Sequence, residues 1–296
     1  MSALLPEQLA AKGASAISGL ERADLLPFAH AYPARPARLR HGLCDHPLLT
    51  IGALADLARR MDPAHVEVRR GNVPVDMPDG GAPHTGNDPI ATLRNIENTR
   101  SWVMFRWAQN DPAYKALLED VLADLVPVVN PVTGPMLQHE AFIFVSSPRC
   151  ITPFHFDPEH NILMQVTGEK RFSVYPPNDP ATAPQLAHEA FHLRGANMLP
   201  WCDSMKPRGT VHTMQPGDAL YVPVKSPHHV EVGDAPSISL SITWRSRWSE
   251  EEADACTFNG FLRSRGFAPM PPNQWPHGNR ARAMAWRVIR KLNRHH

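Results

Sequence analysis

The sequence has few cysteines, little net charge and no long apolar run, and each absence excludes a class of protein. The four cysteines are widely spaced, without a CxxC pair, so neither a zinc ribbon nor a disulfide scaffold is indicated. Thirty basic residues against 29 acidic ones give a net charge of +1, which argues against a chain-wide nucleic-acid partner. No apolar run approaches the ~18 residues of a transmembrane helix. No basic stretch precedes the first apolar residues, so we expect no signal peptide and a cytoplasmic location.

Proline is abundant, and a β-rich segment occupies the second half of the chain. The 31 prolines are scattered, which indicates many short elements separated by turns. From about residue 140 to residue 244, apolar and polar residues alternate in short runs bounded by Gly, Pro, Asp or Ser. These runs are AFIFVSS, NILMQV, KRFSVYPP, ALYVPV, HVEV and SISLSITW. Several short strands with turn signals predict a β-sandwich or a barrel.

Regions of helical spacing flank this segment. Apolar residues recur at helical intervals in 3–28, 51–61 and 111–125, and short strands are predicted at 38–41 and 64–69. Glycine, proline and aspartate dominate 71–89, which predicts a loop. We expect a mainly β fold with helical additions, in three regions: an N-terminal helical region with strands that join the barrel (1–130), the β core (131–248) and a C-terminal helical region (249–296).

A histidine and an aspartate near residue 155 suggest a metal site. In an extended chain the side chains of His155 and Asp157 leave the same face. Together they supply two of the three ligands of a facial metal triad, which needs one more histidine as the third ligand. In SPHHVEV, His228 shares a face with two valines, whereas His229 shares a face with Glu231. We therefore expect His228 to point inward as the third ligand and His229 to point outward toward solvent.

The same alternation selects Lys170. This lysine lies on the face of Phe172 and Val174, and only six of the 30 basic residues are lysines. A lysine on an apolar face needs an anionic partner, because burying an unpaired ammonium is unfavourable. The preceding Thr-Gly-Glu at 167–169 predicts a hairpin turn that would place this strand beside NILMQV.

Two segments resemble the JmjC/cupin-like (cupin 8) family of Fe(II)- and 2-oxoglutarate-dependent oxygenases. They are TPFHFDPEHNILMQVTGEKRFSVYPP and GDALYVPVKSPHHVEV. The nearest pattern is the hydroxylase branch that includes the asparaginyl hydroxylase of hypoxia signalling. The matching residues are Thr152, Pro153, His155, Asp157, Asn161, Lys170, Pro176, Pro177, Gly217, Asp218, Pro223 and His228. The resemblance covers roughly 140–244. It departs at Ser226-Pro227, where relatives have a pair of aromatic residues.

The resemblance implies a double-stranded β-helix, the jelly-roll barrel of cupins, and a role for each matching residue. Fe(II) would be bound by His155, Asp157 and His228. Lys170 would pair with the distal carboxylate of 2-oxoglutarate, and Thr152 would donate a hydrogen bond to the same carboxylate. Lys206 and Lys225 would be the next candidates for the residue that anchors this carboxylate. Asn161 would lie near the metal. Ser241 or Thr243 would stand where the hypoxia enzyme has an asparagine, although the alternation in SISLSITW leaves open which face of that strand lines the pocket.

The activity implied is that of an O₂-consuming dioxygenase, with no catalytic residue beyond the metal ligands. We expect hydroxylation of an amino-acid side chain in a peptide or protein. One alternative is an oxygenase that acts on a free small molecule. Two further alternatives belong to a different class: a metal-binding cupin that does not oxygenate a substrate, and a binding module that kept the fold. Both stay open because cupin barrels host many functions.

The end of the chain carries a basic amphipathic segment. Its apolar stripe consists of Ala281, Met284, Ala285, Val288 and Leu292, and arginines surround this stripe. Such a helix can bind a membrane surface or nucleic acid. We favour a packing or dimerisation helix, and we expect a homodimer.

Overall fold

A computed structural model describes residues 19–77 and 81–292. Eleven strands within these ranges form two antiparallel sheets. The strands are β1 (Ala37–Arg40), β2 (Val66–Arg70), β3 (Ser101–Phe105), β4 (Leu137–Ser146), β5 (Ile151–His155), β6 (His160–Thr167), β7 (Lys170–Val174), β8 (Thr210–Met214), β9 (Asp218–Val222), β10 (His228–Val232) and β11 (Ser237–Arg245). The large sheet has the order β1-β9-β6-β11-β4-β3-β2, and the small sheet has the order β5-β10-β7-β8.

The chain crosses repeatedly between the two sheets from β4 onward. The strands β4, β6, β9 and β11 belong to the large sheet, whereas β5, β7, β8 and β10 belong to the small one. This alternation produces a jelly roll, and the prediction of a mainly β fold with helical additions is confirmed. Pro153 lies in β5, an edge strand of the small sheet, where a missing backbone N–H is tolerated.

The predicted hairpin between β6 and β7 is wrong. Gly168 does form a turn with a left-handed φ of +70°. However, β6 pairs with β9 and β11, and β7 pairs with β8 and β10, so the turn carries the chain from one sheet to the other. Turn residues favour a reversal of the chain direction, whereas the partner with which each strand pairs depends on residues distant in sequence.

Seven α-helices lie within the described ranges: α1 (Arg22–Ala31), α2 (Ile51–Arg60), α3 (Pro89–Arg94), α4 (Pro112–Thr133), α5 (Gln185–His192), α6 (Arg247–Arg263) and α7 (Arg280–Leu292). Residues 3–18 of the predicted 3–28 helix lie outside the described residues. The helix predicted over 111–125 is confirmed and continues to Thr133, with Asp111 capping its N-terminus. None of the described helices is both long and apolar enough to cross a bilayer.

The packing of the large sheet decides which side chains face the barrel interior. One core cluster combines the outer face of this sheet with apolar residues of α2 and α4: Ile143, Val145, Ile162, Met164, Leu240, Ile242, Trp244, Leu54, Val121 and Leu125. Because side chains alternate along a strand, the hydroxyl face of β11 must point the other way, into the barrel. This face holds Ser239, Ser241 and Thr243, all buried. The hydroxyl face of β11 therefore lines the barrel interior, which the alternation in SISLSITW alone does not decide.

Candidate active site

A cavity of about 330 Å³ lies between the two sheets and collects the residues singled out in the sequence. Its lining includes all of the predicted site residues: Thr152, His155, Asp157, Asn161, Lys170, His228 and Ser241. These residues come from β5, β6, β7, β10 and β11 and from the segment after β5. The tertiary fold therefore brings the two motif segments to one place.

The three predicted metal ligands converge at the ends of two paired strands. His155 ends β5, His228 begins β10, and the two are partners in the strand register. Asp157 lies between them, with Oδ1 3.9 Å from His155 Nε2 and Oδ2 3.6 Å from His228 Nε2. One ligand atom from each residue lies within 4.8 Å of the others, and no further group of this kind occurs in the described chain. This donor set suits a divalent transition metal.

Backbone carbonyls orient both imidazoles for coordination. His155 Nδ1 lies 2.8 Å from the carbonyl oxygen of Pro153, and His228 Nδ1 lies 3.0 Å from that of Ser226. A carbonyl only accepts, so each Nδ1 carries the hydrogen and each Nε2 keeps its lone pair for a metal. Burial and the neighbouring His155 lower the pKa of His228 to about 4, so this imidazole is neutral at physiological pH.

Lys170 supplies an ammonium to the same cavity. The residue is only 4% exposed, and its Nζ donates a hydrogen bond of 2.6 Å to Ser239 Oγ. Burial lowers its pKa to about 8, and no Asp or Glu of the described chain forms an ion pair with it. Lys206, by contrast, pairs with Asp203 at the surface. Arg69 also lines the cavity, but it forms an ion pair with Glu67 at 2.7 Å. Among the described lining residues, the buried ammonium of Lys170 is therefore the cation left for an anionic ligand.

A row of hydroxyl groups continues from the lysine toward the metal ligands. The Ser241 hydroxyl donates a 2.7 Å hydrogen bond to Asn161 Oδ1, which orients the amide in the cavity that also holds the triad. Thr243 also lines the cavity, and its buried hydroxyl has no hydrogen-bond partner among the described residues. The sequence did not predict a role for Ser239, although the alternation in SISLSITW places this residue on the same strand face as Ser241.

Glu159 is a second residue that the sequence did not indicate. It lines the cavity and accepts a 2.6 Å hydrogen bond from Arg245 Nη2. Burial and the neighbouring Asp157 raise its pKa to about 7, against the opposing effect of Arg245. No signal in the sequence separated this glutamate from an exposed one.

The expectation that His229 faces solvent is wrong. His229 does point away from the cavity, but it is only 5% exposed. Its ring lies 5.0 Å from that of Trp201, centroid to centroid, and also contacts the rings of Phe154 and Tyr175. The segment that contains Trp201 covers the outer face of the small sheet. Strand alternation predicts a direction, whereas exposure depends on segments that pack from elsewhere.

Comparison with known proteins identifies the family. Residues 83–250 match the cupin-like domain family, which is more than half of the chain. The chain belongs to this family. The resemblance seen in the two motif segments is thereby confirmed for the family, whereas the asparaginyl-hydroxylase branch stays a prediction.

Similar proteins match only part of their own length. Jumonji C domain-containing protein 5 of Drosophila melanogaster is 31% identical over 167 residues, which are 54% of this chain and 39% of that protein. HSPB1-associated protein 1 of Rattus norvegicus is 28% identical over 124 residues, which are 39% of this chain and 25% of that protein. The chain thus spans less than half of the length of these curated relatives. The solved structure of ycfD from Escherichia coli shares the fold, with a TM-score of 0.50 at 17% sequence identity. The match covers 93% of this chain and 67% of the ycfD chain.

Proposed function

We propose that this protein is an Fe(II)- and 2-oxoglutarate-dependent dioxygenase that hydroxylates an amino-acid side chain in a peptide or protein. One observation carries the proposal: a single cavity holds both a His-Asp-His set and a buried lysine without a carboxylate partner in the described chain. Either feature alone occurs in other proteins. Their combination matches the two requirements of this chemistry, a metal and a dicarboxylate.

The triad would hold the metal. His155 and His228 each direct a deprotonated Nε2 toward the carboxylate of Asp157, so a divalent cation would be bound by two neutral ligands and one charged ligand. Such a three-ligand set leaves coordination positions open for other molecules. When bound, Fe(II) and 2-oxoglutarate supply the oxidation with O₂: the cosubstrate becomes succinate and CO₂, and one oxygen atom enters a substrate C–H bond.

Lys170 would orient the cosubstrate. Its ammonium would donate a charge-assisted hydrogen bond to the distal carboxylate, in a site where burial strengthens the interaction. Ser239 holds the ammonium in place, and Thr152 lines the same cavity as a second donor. Phe172, Leu163 and Val230 are apolar lining residues that would shield a bound carboxylate from water.

The cavity size favours a side chain over a whole free molecule as the substrate. Ligand pockets commonly measure about 300–1,000 Å³, and about 330 Å³ is at the lower end of that range. The cosubstrate would occupy part of this volume, so the remainder suits one side chain that enters from a peptide outside. A free small molecule, oxidised by the same chemistry, is the second candidate.

A succinate-release assay tests the proposal. The protein is incubated with Fe(II), 2-oxoglutarate and candidate peptides, with Asp157→Ala as the blank. We expect succinate together with a peptide mass increased by one oxygen atom. Succinate with a modified small molecule and no modified peptide would favour the second candidate. No succinate with any substrate would leave a metal-binding cupin and contradict the proposal.

We also propose a homodimer formed through α7, in the cytoplasm. Ala283 of α7 is buried, and the ring of Trp286 contacts that of Phe261 in α6. On the opposite side Met284, Val288 and Leu292 remain 58–64% exposed. A second copy would bury this stripe through a two-fold interface, the commonest arrangement of oligomers. Four cysteines without a disulfide fit a reducing compartment.

A further inference from the structure

A strained turn precedes the metal ligand His228. The Ser226 N–H donates to the carbonyl of Pro223 at 3.1 Å, which closes a four-residue turn over 223–226. Its third residue, Lys225, has a left-handed φ of +62°. Glycine and asparagine favour this position, because a larger side chain is strained there. Such strain persists only where the surroundings hold the residue in place.

The backbone of this turn contacts two of the three candidate metal ligands. The N–H of Lys225 donates a 2.8 Å hydrogen bond to the backbone carbonyl of Asp157. The carbonyl of the next residue, Ser226, accepts the hydrogen bond from His228 Nδ1 at 3.0 Å. The conformation at Lys225 therefore influences the positions of Asp157 and His228 together.

The side chain of Lys225 is anchored outside the metal cavity, on α6. Its Nζ lies 2.6 Å from Glu252 Oε1, and the two side chains are 5% and 3% exposed. The second carboxylate oxygen of Glu252 is buried without a hydrogen-bond partner in the described chain. Each charge thus depends mainly on the other, and loss of one partner would leave an uncompensated buried charge.

We propose that the Lys225–Glu252 pair is a positioning device for the metal site. Glu252 holds Lys225 in the left-handed conformation, and the turn then holds Asp157 and His228 in the arrangement that binds a metal. Lys225 is accordingly a positioning residue rather than an alternative anchor for the cosubstrate. The inference rests on the proposed function, because it assigns a role toward the proposed metal.

The test compares Glu252→Gln with a matched control, Glu189→Gln. Glu189 is also buried and pairs with Arg263 at 2.6 Å between α5 and α6, and its described hydrogen bonds do not reach the turn. Each metal-free protein is titrated with Co(II) and followed by absorption. We expect Glu252→Gln to weaken Co(II) binding by about 10–100-fold, the usual effect of losing support around metal ligands. Glu189→Gln should leave the affinity unchanged.

Hydrogen exchange of the metal-free proteins provides a readout that needs no metal. We expect faster amide exchange over 223–228 in Glu252→Gln than in the wild type or in Glu189→Gln. If the wild type binds no Co(II), the proposed function fails, and the exchange comparison still decides whether the pair holds the turn. Unchanged exchange over 223–228 would overturn the positioning role.

A double variant covers the case in which Glu252→Gln does not fold. Lys225→Met with Glu252→Met removes both charges, a replacement that buried ion pairs often tolerate. We expect this protein to fold and still to bind Co(II) about 10-fold or more weakly, because nothing holds the left-handed turn. Wild-type affinity in the double variant, or equal losses in Glu252→Gln and Glu189→Gln, would overturn the proposal.

Discussion

The imidazoles of His155 and His228 lie 4.2 Å apart between ring centroids, tilted by 58°, on strands that pair in register. The two residues are distant in sequence, so this proximity depends on the pairing of β5 with β10. Asp157 completes the set from the segment that follows β5. A proposed metal site built on two strand ends should be sensitive to each ligand without being required for the fold.

Asp157→Ala should abolish metal binding and turnover while the protein stays folded. The Asp157 side chain is partly exposed, and its described contacts are with His155 and His228, so its loss removes little packing. Titration with Co(II) or Mn(II), succinate release and circular dichroism measure the three properties. Asp203→Ala, which removes an exposed carboxylate, is the control. Unchanged succinate production in Asp157→Ala would refute the assignment of the triad.

Lys170→Met should weaken 2-oxoglutarate binding by about 2–3 kcal/mol, the scale of a hydrogen bond to a charged group. The metal site should be unaffected, since Lys170 contacts Ser239 and Phe144 rather than the ligands. The affinity is measured by titrating 2-oxoglutarate into the Mn(II)-loaded protein. Lys206→Met, at an exposed lysine, should bind like the wild type. An unaltered affinity in Lys170→Met would place the anchor elsewhere.

Binding of 2-oxoglutarate should weaken as the pH rises through about 8. Burial lowers the pKa of Lys170 from 10.5 to about 8, so above that pH the free protein has lost the ammonium that the carboxylate needs. Binding at pH 9 should therefore take up a proton. Calorimetry in two buffers of different ionisation enthalpy measures this uptake. Lys170→Met should show none, and a wild type without proton uptake would contradict the assignment.

The same ionisation predicts the direction of a stability change. Between pH 8 and 10.5 the unfolded chain holds the lysine proton that the folded chain has released. The contribution of Lys170 to the free energy of unfolding therefore rises with pH in this window. Denaturant unfolding of the wild type and Lys170→Met at pH 7.5 and 9.5 isolates this contribution. A difference between the two proteins that does not change with pH would contradict it.

Substitution of the α7 stripe should convert the proposed dimer to a monomer. Met284→Gln, Val288→Gln and Leu292→Gln together remove apolar surface that is largely exposed within one subunit, so the subunit itself should stay folded. Truncation after Pro276 should also yield a monomer that still binds metal. Sedimentation measures the mass, and Leu186→Gln, at an exposed leucine of α5, is the control. If the stripe variant stays dimeric, α7 serves another partner.

Much of the candidate site was predictable from local patterns. The HxD spacing selected His155 and Asp157, and strand alternation selected His228 over His229 and Lys170 over Arg171. The structure brings the selected residues His155, Asp157, Lys170 and His228 to one cavity. The sequence pattern does not select Ser239, the partner of Lys170, because it places this serine on one face of its strand without indicating whether that face lines the cavity.

Local sequence patterns predict the elements and the candidate site residues: period-two strands, the helices around them, and two histidines, an aspartate and a lysine at spacings that suit a metal and an anion. Which segments cover each face of a strand depends on the tertiary packing. The packing of α2 and α4 on the large sheet turned the hydroxyl face of β11 inward, and the segment with Trp201 buried His229. A strand pattern specifies two faces, whereas the burial of each face depends on contacts between residues far apart in the chain. For the same reason, local signals predicted the turn at Gly168 but not that it joins two different sheets.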